Sequence, residues 1–356
     1  MKRWQLNKPG GELKLIDALV PQVRPGTVLV RMQAAPMLTY FDRWAAGQLP
    51  YAYPQREFTP GTNGVGIVEA IGAGIYHFKI GDRVYVDPYM IAAENVAEPA
   101  QILTGLTGIS ADSANMLNDW ADGTYSEYVL TLPTVLTRLD GLDHLPSERL
   151  AYLSKFAIPL GGLLRGDLRP GQTLIVNGAT GYFGTGAVIT GLSLGARRIV
   201  ALGRNTRVLD RLAALGSGRI ICVGLTGEAG RDNEAVQNAT GGSADMALDI
   251  VGRAGDANAT LAAMSALRRG GRLVLMGSMT VPLWIPYAQV LANNWDILGN
   301  FMYPKHAIRS LSVLIASGML DLQLVELQTF SLTDLPAASR AAALISGLEA
   351  VCLVMG

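Results

Sequence analysis

Apolar positions in the first 85 residues come in short runs broken by glycine and proline, at lengths that suit strands. Residues 27–33, 64–71 and 84–86 read as strands, with no helix pattern between them. This texture predicts a β-rich, barrel-like domain rather than βαβ units. From about Leu150 the pattern changes. Buried-strand runs at 173–176, 199–202, 220–223, 246–250 and 273–276 alternate with helix patterns such as 206–215 and 257–267. Such alternation predicts a parallel sheet with helices on both faces and a ligand at the carboxyl ends of the strands. Residues 295–302 read as one more strand, and the tail from Asp321 is expected to rejoin the first domain. The expected division is 1–145 with 320–356 in one domain and 146–319 in the other, with no internal repeat.

Within the second domain, the run TLIVNGATGYFG at 173–184 joins a strand to a glycine-rich turn, and the helix pattern at 187–194 follows, ended by Gly195. Gly178, Gly181 and Gly184 recur at spacing three, with Ala179, Thr180, Tyr182 and Phe183 between them. Strand, glycine turn and helix in that order form a pyrophosphate cradle: glycine lets the backbone approach, and the helix start supplies N–H groups and a positive dipole end. The next strand ends in Gly203-Arg204-Asn205, with Arg207 just beyond. A dinucleotide site that holds free ribose hydroxyls carries Asp or Glu at this point, about 20 residues on. Gly203 offers no carboxylate, while Arg204 and Arg207 offer guanidinium forks suited to a ribose 2′-phosphate. NADP(H) is therefore the expected cofactor, and on this reading Gly203→Asp reverses the preference. The alternative is that both arginines are ordinary surface charges opening a helix.

Length and composition bound the rest. A chain of 356 residues exceeds one ordinary domain, and 49% hydrophobic with 16% charged residues excludes a disordered chain. Lys+Arg and Asp+Glu both number 29, so no electrostatic footprint for nucleic acid or anionic membrane exists. No apolar run approaches membrane-spanning length, and the start MKRWQL lacks the apolar core of a signal peptide. Cys222 and Cys352 make no disulfide framework, so a cytoplasmic setting is expected. His77, His144 and His306 are scattered and match no metal-ligand spacing.

GTNGVG at 61–66, IVEAIG at 67–72, FKIGDRV at 78–84 and GTYSEY at 123–128 resemble the catalytic domain of the medium-chain dehydrogenase/reductase superfamily. The glycine turn at Gly178 lies where that superfamily keeps its cofactor domain, so the resemblance covers nearly the full chain. It implies an α/β protein: a GroES-like β-rich catalytic domain plus a Rossmann-type doubly wound parallel sheet. It also implies nicotinamide-side contacts at Val251, Gly277 and Ser278, a further cofactor contact at Asn300, and a homodimer or dimer-based tetramer through residues 295–302.

The departures from that pattern carry the functional expectation. Zinc members of the superfamily use Cys, His and Cys. Here the resemblance puts Leu38 at the first position, Thr62 followed by Asn63 at the second, and no cysteine near 156–159. Zinc needs three protein ligands and an open position, and this set supplies none. The chain thus resembles the zinc-free branch typified by quinone and enone reductases. Hydride transfer from NADPH to a conjugated carbonyl is the expected activity, since conjugation spreads the charge that zinc would otherwise stabilise. The alternatives are a zinc-free alcohol or carbonyl dehydrogenase and a non-catalytic NADPH-binding protein. Candidate proton donors are Tyr53, Tyr40 and Tyr51; for each, aromatic packing along the cleft is the competing role. Asn63 and Lys155 are further polar groups that could face the cleft. The segment between Arg83 and Arg138 holds seven acids and no base, and reads as a solvated insertion or as a lobe over the substrate cleft or a subunit contact.

Overall fold

In the computed structural model, described over residues 1–216 and 218–356, the chain divides into two units. The first comprises Met1–Ser154, Val325–Ile345 and Glu349–Gly356. Its main sheet is built on the strand Val28–Pro36, which pairs antiparallel with Gly64–Ile71, Tyr128–Thr131 and Glu349–Val354. Register slips between Leu29 and Val30 and between Met32 and Ala34 mark bulges in the pairing with Gly64–Ile71. Bulges bend and twist a strand, which lets one segment serve three partners. Arg83–Val86 and Leu136–Arg138 extend one side of the sheet, and Glu326–Ser331 adds a parallel strand on the other. The C-terminal tail thus lies in the first unit's sheet. The boundary falls between Ser154 and Lys155, later than the division expected after residue 145, because the helix Ser147–Ala151 packs on the strand Val28–Pro36.

The segment expected as a solvated insertion has structure of its own. Tyr89–Ile91, Gln101–Leu103 and Thr107–Gly108 form a small antiparallel sheet beside the helix Ala114–Asp119. Met90, Ile102 and Leu117 bury a compact core there together with Val135. Three glycines lock it to the loop that leads into Gly64–Ile71: a Cβ on Gly105 would stand 2.1 Å, and one on Gly123 1.9 Å, from the carbonyl oxygen of Gly61. The sequence reading saw acids and small residues but not this interlock, which excludes side chains at both contacts.

The second unit comprises Lys155–Leu324 with Ser346–Leu348. Its six strands are parallel, in the order Ile220–Gly224, Arg198–Gly203, Thr173–Asn177, Ala244–Asp249, Leu267–Leu275, Asp296–Gly299. The order reverses between Thr173–Asn177 and Ala244–Asp249, the switch point where open α/β sheets bind ligands. Thr173–Asn177 is buried throughout, as a central parallel strand must be. The helix after it runs Tyr182–Ser193, beginning well before the start at 187 read from sequence. Gly184 and Gly186 look like breakers in the sequence, yet both lie inside the helix because neighbours leave no room for side chains. A Cβ on Gly186 would meet the Lys155 carbonyl oxygen at 2.1 Å. The last strand is shorter than expected: Asp296–Gly299 pairs with Leu267–Leu275, and Met302 at φ 58 lies beyond its end.

Candidate functional site

The cradle grows out of the buried end of Thr173–Asn177. Asn177 donates to Asp249 Oδ2 at 3.0 Å, and Asp249 also accepts from Thr260 Oγ1 and from Val251 N at 3.1 Å. These bonds tie the two strands at the switch point. Gly178 then turns with φ 86, a conformation that favours glycine. Gly178 N and Ala179 N both donate to the Leu202 carbonyl, at 3.2 and 2.9 Å, which lays the turn across the end of Arg198–Gly203. Gly181 N-caps the helix without a side-chain cap, so the N–H groups of the first turn lie ahead of the intrahelical hydrogen-bond ladder. The cradle is one that a side chain would fill: a Cβ on Gly184 would lie 1.9 Å from the Gly178 carbonyl oxygen. Backbone donors, a positive helix end and this close approach fit a pyrophosphate.

At the neighbouring strand end Gly203 is buried, while Arg204, Asn205 and Arg207 are exposed. Asn205 has a structural role, its side chain accepting from Val208 N at 3.3 Å as the cap of Thr206–Leu215. Arg204 and Arg207 form no ion pair among the described residues, so both guanidinium groups can take an anion. Val251 and Gly277 lie side by side across the switch: Met276 N and Gly277 N donate to the Asp249 carbonyl at 2.9 and 3.1 Å. A Cβ on Gly277 would stand 2.2 Å from the Val251 carbonyl oxygen. Ser278 Oγ donates to the Gly252 carbonyl at 3.2 Å. Asn300 follows the next strand end, but its side-chain amide donates to the Met302 carbonyl at 2.9 Å and so braces its own turn. The fold thus gathers residues 178–184, 203–207, 251 and 277–278 at the carboxyl ends of one sheet.

The three candidate tyrosines belong to the first unit and differ in what their hydroxyls do. Tyr53 stacks on the buried Trp44 with ring centroids 5.4 Å apart, and its hydroxyl donates to the Trp44 carbonyl at 2.6 Å. In this arrangement that proton goes to backbone, which weighs against Tyr53 as the donor to a substrate. Tyr40 lies at the start of the short helix Phe41–Ala45, its ring centroid 6.4 Å from that of Tyr51. Burial, then the neighbouring Tyr51, push the Tyr40 hydroxyl well above the ordinary phenol range, so it stays protonated. Sequence reasoning missed Tyr125, whose fully buried hydroxyl donates to the Pro36 carbonyl at 3.0 Å and accepts from Leu38 N at 3.4 Å. It fixes the backbone from Pro36 to Leu38, just ahead of Tyr40. Its signal was its place in GTYSEY, used there only as part of the family resemblance.

The metal positions named by the resemblance are built without metal donors. Thr62 and Asn63 are buried, with Thr62 Oγ1 donating to Asn63 Oδ1 at 2.8 Å and Thr124 Oγ1 donating to the Asn63 carbonyl at 2.8 Å. Among the described residues no group of three or more His, Cys, Asp or Glu could hold a metal ion. This donor chemistry does not fit zinc. Lys155 also differs from expectation. It is buried in the second unit, where Nζ donates to the Tyr182 and Gly347 carbonyls at 2.6 Å each and lies 4.0 Å from the Tyr182 ring centroid. It braces the first turn of the cradle helix.

Residues 24–140 match the model of the alcohol dehydrogenase GroES-like domain, and residues 184–317 match that of the zinc-binding dehydrogenases. The chain is a medium-chain dehydrogenase/reductase by fold. Its two domain matches together indicate the zinc-type alcohol dehydrogenase superfamily. Sorbitol dehydrogenase of Bacillus subtilis (strain 168) is 25% identical over 329 residues, covering 90% of this chain and 88% of that one. The structure of 2R,3R-butanediol dehydrogenase from Bacillus subtilis superposes with a TM-score of 0.81 at 20% identity, over 99% of both chains. A Sinorhizobium meliloti 1021 structure bound to NADP superposes with a TM-score of 0.78 at 19% identity, over 99% of this chain and 98% of that one.

Proposed function

We propose that this medium-chain dehydrogenase/reductase is an NADP(H)-dependent oxidoreductase that works without zinc and reduces a conjugated carbonyl compound, a quinone or enone. The observation that carries this reading is the pairing of an intact coenzyme cradle at 178–184 with metal positions that hold Leu38 and the Thr62–Asn63 hydrogen bond. NADPH, when bound, supplies the hydride. Residues 178–184 would hold its pyrophosphate, Arg204 and Arg207 its 2′-phosphate, and Val251, Gly277 and Ser278 the nicotinamide side. An alkoxide formed from a simple ketone is a localised charge that zinc normally stabilises, whereas a quinone or enone delocalises it. Backbone donors and one neutral phenol then suffice, and the role is assigned to Tyr40, whose hydroxyl bonds to Tyr51 rather than to a backbone carbonyl.

A second reading, zinc-free reduction of a simple carbonyl, is favoured by the alcohol and polyol dehydrogenases among the relatives and by the same Tyr40 proton. The two readings part on an acceptor panel followed through the absorbance of NADPH. Quinones and enones should turn over while aliphatic ketones and aldehydes do not; the reverse ranking would favour the second reading. Binding of NADPH with no turnover on the whole panel would favour a non-catalytic role.

Assembly belongs to the same proposal. Asp296–Gly299 is an edge strand, and Trp284, Tyr287, Leu291 and Phe301 nearby are largely exposed. Bare edges and apolar patches favour pairing, so a homodimer or dimer-based tetramer through this edge is expected. The partner is a small molecule, and the setting proposed is the cytoplasm. Among the described residues no helix is long and apolar enough to cross a membrane.

A further inference from the structure

Gly203 stands where an NAD-type site carries its carboxylate, and the room for any side chain there is taken by Thr180. A Cβ on Gly203 would lie 2.3 Å from Thr180 Cγ2, 2.9 Å from its Oγ1 and 3.1 Å from its Cβ. The crowding follows from the path of the turn. Because Gly178 N and Ala179 N both bond to the Leu202 carbonyl, the next residue is carried over the end of the same strand. Gly203 is held from its other side as well, its carbonyl accepting from Leu225 N at 2.8 Å. Turning the Thr180 side chain about its one torsion can swing its methyl and hydroxyl aside but leaves Cβ at 3.1 Å, so rotation eases the contact and the backbone of the turn must give the rest.

We propose that Thr180 is a specificity-determining residue coupled to Gly203. Together they close this strand end to a carboxylate, and the preference for the 2′-phosphorylated coenzyme is set by the pair rather than by Gly203 alone. This rests on the NADP(H) reading above, and it revises the expectation that Gly203→Asp by itself converts the site to NADH. The added Cβ would force the glycine turn to move, and a moved turn no longer presents its N–H groups to the pyrophosphate of either coenzyme.

The test is a double-mutant cycle read by coenzyme binding alone, with Kd for NADH and NADPH from fluorescence titration. Because a displaced turn no longer fits the pyrophosphate, Gly203→Asp should weaken both coenzymes by about tenfold or more. Thr180→Gly/Gly203→Asp should restore NADH to within about threefold of wild type and leave NADPH weak, a coupling well beyond additivity. Gly203→Asp binding NADH as tightly as the double variant would overturn the proposal. Should Gly203→Asp fail to fold, Gly203→Ala takes its place: weakened NADPH binding rescued by Thr180→Gly supports the coupling, and unchanged binding overturns it. The underlying reading fails separately, if wild type binds NADH more tightly or Arg204→Ala leaves NADPH binding unchanged. The 180–203 coupling is still read from the NADH titrations in that case.

Discussion

Tyr53 and Tyr40 lie on either side of the short helix Phe41–Ala45, and their hydroxyls lead to opposite expectations. Tyr53→Phe removes a donor to the Trp44 carbonyl and should cost about 1 kcal/mol of stability, with kcat changed by less than about threefold. Tyr40→Phe should leave folding intact and lower kcat by roughly 10²–10⁴-fold, the usual contribution of a general acid. Steady-state kinetics and thermal melts of the two variants decide this, and a large kcat loss in Tyr53→Phe alone would return the role to that residue. The choice between these tyrosines was not legible in the sequence. Tyr-Pro at 53–54 marks an aromatic loop, but which hydroxyl is spent on a backbone carbonyl depends on Trp44 being folded against it. The residue types at Leu38 and Thr62 are read directly from the sequence, and the zinc-free reading proposed from them rests on those types alone.

Glycine positions show the same division at the scale of elements. The spacing of Gly178, Gly181 and Gly184 announced the cradle, yet their tolerances differ and only packing reveals it. A Cβ on Gly184 would meet backbone atoms of Gly178 and Ala179 at 1.9 and 2.8 Å, whereas one on Gly181 meets a single atom at 3.4 Å. Gly184→Ala should therefore abolish measurable NADPH binding in a fluorescence titration, and Gly181→Ala should retain it within about tenfold. Equal effects of the two would contradict the close approach of helix and turn. The alternating strands and helices of the second unit were readable because burial on both faces writes continuous apolar runs. The small sheet at 89–108 was not, since two- and three-residue strands carry no period. At the edge strand, Leu298→Lys should convert the assembly to monomers in sedimentation velocity without loss of fold, and unchanged assembly would remove this edge from the interface.

Across the whole molecule, several buried acids make alkaline stability a readable property. Burial pushes the hydroxyls of Tyr40 and Tyr125 and the Cys352 thiol upward. The folded protein thus keeps protons that the unfolded chain gives up, from about pH 9 for the thiol and about pH 10 for the phenols. Their contribution should be fully present below pH 9 and decline above it, by about 1.4 kcal/mol per pH unit for each group ionised in the unfolded chain alone. Melting temperatures that stay flat to pH 11 would contradict the burial of these groups. On the proposed reading this chain, matched by the alcohol dehydrogenase GroES-like domain over residues 24–140 and by the zinc-binding dehydrogenases over 184–317, reduces its acceptor with NADPH and no metal. The most direct measurement is the rate of NADPH oxidation by a quinone or enone, before and after exhaustive chelation, on protein whose zinc content is determined by elemental analysis. The predicted result is an unchanged rate at far less than one zinc per chain. Loss of the rate on chelation, with one zinc per chain beforehand and recovery on adding zinc back, would contradict the account.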